Sequence, residues 1–147
     1  MYYEDIRVGD KLTLAPLTVD NDEMIGFAKR YNPVPIHTDN EFAKTTRAGR
    51  LTSSGLYTFA LVWAEYVVQD FGGEQTLAGL SMRLSFKAPV FAGDTLTGTA
   101  EVISKKERNP YNGIFTVRID VFNADGTLVL TSETDTVVKR RPEEDKT

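Results

Sequence analysis

The sequence predicts an α+β domain in which an antiparallel sheet wraps around one central helix. Three observations carry this. A thirteen-residue apolar run, Leu56 to Val68, is interrupted by Glu65 and places Leu56, Phe59, Ala60, Trp63 and Val67 at helical spacing, with Leu61, Val62, Tyr66 and Val68 making the other faces apolar. Beyond residue 75 the hydrophobic period changes from helical to two, the mark of strands. The chain has 147 residues and no cysteine. It is long enough to bury roughly 70% of its unfolded surface in one core without disulfides or metal.

The N-terminal half reads as helical. In TVDNDEMIGFAKRY, Thr18 or Asp20 serves as N-cap, acids fill the first turn, and Met24, Phe27, Ala28 and Tyr31 share one face. Pro33 stops this helix, because the residue before a proline is pushed out of helical geometry. A second short turn starts at Thr38 or Asp39. The central helix is expected over roughly residues 54 to 70, with Gly72-Gly73 ending it. Then LSMRLSFKAPVF alternates, DTLTGTAEVISKKE is rich in Thr and Val, and GIFTVRIDVFNADGTLVLTSETDTVVK holds two strand-like runs joined by the hairpin signal Asn123-Ala124-Asp125-Gly126. RNPYNG, residues 108 to 113, supplies another turn. Phe86, Trp63 and Phe91 read as core. The domain runs from 3 to 138, and residues 139 to 147, KRRPEEDKT, read as a charged, disordered tail.

Composition excludes several functions. A net charge of −4 and a pI near 5.0 leave no concentrated basic face for nucleic acid. One histidine and no cysteine exclude multi-histidine and thiolate metal sites and a thiol nucleophile. The opening MYYEDIRVGD lacks a signal-peptide layout, and the most apolar run is too short to span a bilayer, so a soluble cytoplasmic chain is expected.

The lone histidine, His37, lies in YNPVPIHTDNEFA. Two readings stand for it: a base at a reaction centre, or a side chain packing beside the next helix. Asp39, two residues on, reads as a helix N-cap. Ser53 and Ser54, in TSSGLYT, read either as N-caps or as neighbours of a donor site at the start of the central helix. As nucleophiles they fail the G-x-S-x-G pattern, since Leu51 stands at its first glycine.

Over about residues 2 to 138 the chain resembles the MaoC-like dehydratases, or (R)-specific enoyl-CoA hydratases, which have the hot-dog fold. YYEDIRVGD, FAKRYNPVPIHTDNEFAK leading into AGRLTSSGLYT, and LSFKAPVFAGDTLTGTAEV carry the likeness. The resemblance implies hydration or dehydration of an acyl thioester, with a base at His37 and an oxyanion contact at the Gly55 backbone, Ser54 nearby. It implies no cofactor beyond coenzyme A or acyl carrier protein as part of the substrate, and a homodimer or higher oligomer. The family's acid, five residues before the histidine, falls on Asn32. An amide orients water but exchanges no proton. Two alternatives therefore stand beside the hydratase: a weakened or non-catalytic thioester-binding protein or partner subunit, and a thioesterase, for which the nearest carboxylate in the central helix is Glu65. Asn32 and His37 can serve one water only if the proline-rich loop curls, because a polyproline path would hold them about 15 Å apart. Lys87 reads as a strand lysine facing solvent, or as a contact for a coenzyme A phosphate.

Overall fold

A computed structural model describes residues 1–143. Five strands, β1 (Lys11–Thr18), β2 (Thr76–Phe86), β3 (Thr95–Glu107), β4 (Asn112–Phe122) and β5 (Leu128–Lys139), form one sheet in the order β1-β3-β4-β5-β2, every pair antiparallel. Helices α1 (Asn21–Tyr31), α2 (Pro35–Thr38), α3 (Asn40–Ala43) and α4 (Gly55–Val67) complete the domain. The core lies between α4 and the sheet. Tyr57, Val62 and Tyr66 meet Leu96, Val117, Ile119 and Leu130 there, all at most 3% exposed.

Local chemistry sets the boundaries. Asp20, not Thr18, caps α1 by accepting from Glu23 N–H at 2.9 Å. Asp39 caps α3 by accepting from the N–H groups of Glu41 and Phe42, as its position suggested. Asn123 Oδ1 accepts from the N–H groups of Asp125 and Thr127, and Gly126 takes the left-handed conformation that closes the β4–β5 hairpin.

Four features depart from the sequence reading. The N-terminal half also contains a strand, β1, whose ladder shifts register between Leu14 and Leu17. Pro16, which cannot donate to a ladder, sits in that interruption on an edge strand. Helix α4 ends at Val67, before the two glycines, and is not buried all round: Leu56, Ala60, Ala64, Val67 and Val68 form an exposed stripe. Phe86 is 53% exposed rather than core. Finally, Lys139 belongs to β5, and the next two residues are held: Arg140 N–H donates to the Tyr111 carbonyl, and Arg141 N–H to Glu4. Residues 144–147, the rest of the expected tail, lie outside the described residues.

On the outer face of the sheet, one row crosses all five strands. In register order it reads Lys11, Glu101, Arg118, Glu133, Arg83, alternating in sign. Its two ends close as ion pairs, Lys11–Glu101 at 3.7 Å and Arg83–Glu133 at 3.3 Å.

Beside this row Asp135 accepts from Arg83, Ser81 (2.6 Å) and Thr116 (2.7 Å), and these donors hold its carboxyl at about 2. Because the folded value lies below the unfolded value of about 3.9, the associated stability is present above that value and is lost as pH falls toward 2. Asp135→Asn should therefore flatten the acid limb of a melting-temperature profile over that window. An unchanged limb would remove Asp135 as its source.

Candidate active site

The proline-rich loop does curl. Asn32 ends α1, its carbonyl accepts from Val34 N–H at 2.8 Å, and α2 begins at Pro35. A proline at the first helical position loses no bond there. The loop is then stitched to the segment before α4: Thr52 N–H donates to the Ile36 carbonyl at 3.2 Å.

Two side chains continue this stitching. His37, 9% exposed, donates from Nδ1 to the Thr52 carbonyl at 2.7 Å, so in the neutral ring Nε2 carries the lone pair. Asn32 donates from Nδ2 to Ser54 Oγ at 2.8 Å, leaving its Oδ1 to accept. Both residues are thus anchored two positions apart on the segment that leads into α4.

Helix α4 starts uncapped. Ser54 occupies the N-cap position and its side chain makes no capping bond. Ser53 Oγ bonds Thr58 Oγ1 at 2.8 Å instead. Among the described residues the N–H groups of Gly55 and Leu56 meet no acceptor. A helix start with free N–H groups attracts a carbonyl oxygen that gains negative charge. Ser54 itself is fully buried, and its hydroxyl oxygen accepts from Asn32.

A cavity of about 380 Å³ adjoins this helix start, lined among others by Thr52, Gly55, Thr58, Phe86, Lys87 and Val90. Neither His37 nor Asn32 lines it; the shared feature is the segment from Thr52 to Gly55. Phe86 was missed as a lining residue. A Cβ on Gly55 would stand 2.6 Å from its ring, so the bare glycine lets the ring rest against the helix start in this position. The signal for this, an aromatic at the end of an alternating strand, is the same signal that a core residue gives.

Tyr57, in the first turn of α4, donates to Glu23 of α1 at 2.6 Å. Burial, then the Glu23 hydrogen bond, pushes the phenol well above its usual range. This contact ties α1, and hence Asn32 at its end, to the helix start.

Comparison with known proteins agrees with the geometry. The family model described as MaoC like domain matches residues 5–121. The (R)-specific enoyl-CoA hydratase of Aeromonas caviae is 34% identical over 136 residues, spanning 90% of this chain and 96% of that protein. The uncharacterized protein YdeM of Bacillus subtilis is 28% identical over 141 residues, 95% of this chain and all of that one. Among solved structures, the MaoC-like dehydratase of Rhodospirillum rubrum superposes with a TM-score of 0.87 at 30% identity, covering 97% of this chain and 99% of that one. With the sheet order, the histidine loop and the uncapped helix start in place, the chain belongs to the MaoC-like dehydratase family and has its hot-dog fold.

Proposed function

We propose that the protein hydrates a 2-enoyl thioester, or dehydrates the 3-hydroxyacyl thioester, with His37 as the base. The observation that carries this is the pairing of a tautomer-fixed imidazole with free N–H groups on one short segment. The thioester oxygen lies at the Gly55 N–H. Nε2 of His37 takes a proton from water, the hydroxide adds to C3, and the double-bond electrons move to the thioester oxygen as an enolate. The imidazolium then returns its proton to C2, so one base serves both transfers and one water is added overall. Asn32 Oδ1 accepts the second hydrogen of that water. The direct test offers the purified protein crotonyl-CoA and longer 2-enoyl-CoAs, following enoyl absorbance and free thiol in parallel. Loss of absorbance without thiol supports hydration, and thiol release would replace it with thioester hydrolysis.

Hydrolysis is disfavoured by position. Glu65 stands ten residues into α4 from Gly55, about 15 Å along the axis. A binding protein or partner subunit is the second reading, and the amide at Asn32 favours it; absence of either signal in the assay would select it.

A second copy of the chain completes the assembly in this reading. Strand β2 is an eleven-residue edge with no proline, and Leu80 and Met82 are about half exposed on it. Its one charge, Arg83, is already paired within its own sheet. Together with the exposed stripe of α4, such an edge invites pairing with a like strand. We expect a dimer in sedimentation, converted to monomer by Leu80→Lys with Met82→Lys. A monomeric parent chain would remove the β2 edge as the interface.

A further inference from the structure

Among the arginines without an acid partner in the described residues, Arg50 is set apart by its stacking on a ring distant in sequence. Its guanidinium lies 3.7 Å from the centroid of the Phe91 ring, a residue 41 positions away, so the side chain is placed. Yet among the described residues it has no carboxylate partner and makes no hydrogen bond, whereas Arg83, Arg118, Arg140 and Arg141 all pair with acids. A guanidinium stacked on a ring keeps its edge donors in one plane, the geometry that binds phosphate oxygens two at a time.

Its position follows from the backbone. Gly49 adopts a left-handed conformation, φ 72°, and its N–H donates to the Thr46 carbonyl at 3.0 Å, turning the chain into Arg50. The segment that follows then runs beside the β2–β3 loop, with Ser53 N–H donating to the Val90 carbonyl at 2.7 Å. Thr52, Ser53 and Val90 line the cavity at the start of α4; Phe91 directly follows Val90, and Arg50 lies two residues before Thr52. Lys87, exposed and without an ion-pair partner among the described residues, lines the same cavity. Gly55 lies five positions after Arg50, a span of at most about 18 Å. That is the scale of an extended pantetheine arm.

We propose that Arg50, stacked on Phe91, with Lys87 on the cavity rim, binds the phosphates of coenzyme A as the carrier of the thioester. This rests on the thioester reading above and orients the substrate: the acyl carbons lie toward His37, and the pantetheine leaves through the cavity. The cation is a small, stacked site and not a broad basic face on a chain of net charge −4, which favours a nucleotide phosphate over an acidic carrier protein.

Two measurements test it independently of turnover and with it. Adenosine 3′,5′-bisphosphate, the phosphate-rich part of coenzyme A, should bind the parent chain in calorimetric titration, and Arg50→Gln should weaken it about tenfold or more. The same loss should appear in a His37→Ala background, where no hydration is needed. In kinetics, Arg50→Gln should raise KM for crotonyl-CoA and leave crotonyl-pantetheine, which lacks the nucleotide, unchanged. Equal loss on both thioesters would show Arg50 to be structural and overturn the proposal, as would unchanged bisphosphate affinity. Undiminished coenzyme A binding with weakened use of an acyl carrier protein would also overturn it, assigning Arg50 to the protein carrier. If neither thioester is hydrated by the parent chain, the hydratase reading falls, and the titration still decides the phosphate site.

Discussion

Replacing His37 by alanine is expected to lower enoyl hydration by roughly 10²–10⁴. The Nδ1 bond of the imidazole to the Thr52 carbonyl keeps Nε2 free to take a proton from water. The ring is also buried, so the substitution is not silent for stability. Losing one hydrogen bond costs about 1 kcal/mol, which for a domain of this size lowers the melting temperature by about 2–4 °C. Activity measured well below the transition separates the two effects. Retained hydration, together with a much larger fall in melting temperature, would show the histidine to be a packing residue and end the hydratase mechanism given above.

Asn32→Asp is expected to raise the hydration rate, by about 10² or more, equivalent to about 3 kcal/mol of barrier. A carboxylate there exchanges a proton with the water, which an amide cannot. The structure shows why the change can be accommodated. Asn32 donates to Ser54 Oγ, and a serine hydroxyl accepts or donates by rotating its hydrogen, so the new carboxylate finds a donor where the amide found an acceptor. An unchanged rate would assign the site to binding. A falling rate would show that the amide Nδ2 serves the substrate directly. Ser54→Ala in the aspartate background separates these cases further, because it removes the buried donor while leaving residue 32 ionisable.

The caps and hairpins were legible because their determinants are local. Asp39 and Asn123 bond groups within four residues, and their side-chain chemistry alone predicts the turn. The curl of the loop was only conditionally legible: the two prolines permit both an extended and a bent path, and the bond from Thr52 to Ile36 chooses. Contacts that span the chain were not readable. Asn32 meets Ser54 22 positions on, and the pairing that makes Ser54 a support for Asn32 has no sequence period. Strand β1 was obscured by Pro16 and by only eight residues of weak alternation. The exposed stripe of α4 was misread for a physical reason: an apolar helix face left open and one that meets its own sheet have the same composition.

The alternating row on the outer face of the sheet bears on how the strands find their places. Sliding a strand by one residue turns its apolar side chains to water, so burial forbids that error. Sliding by two keeps every face correct, and the hydrophobic pattern is blind to it. Charge is not. A two-residue displacement of β4 along β3 replaces the opposition of Glu101 and Arg118 by Glu101 facing Asp120 in one direction, acid against acid, and by Glu101 facing Thr116 in the other, with no charge at all. The row therefore acts as a vernier on the assembling sheet, reading the two-residue offsets that greasy residues cannot distinguish.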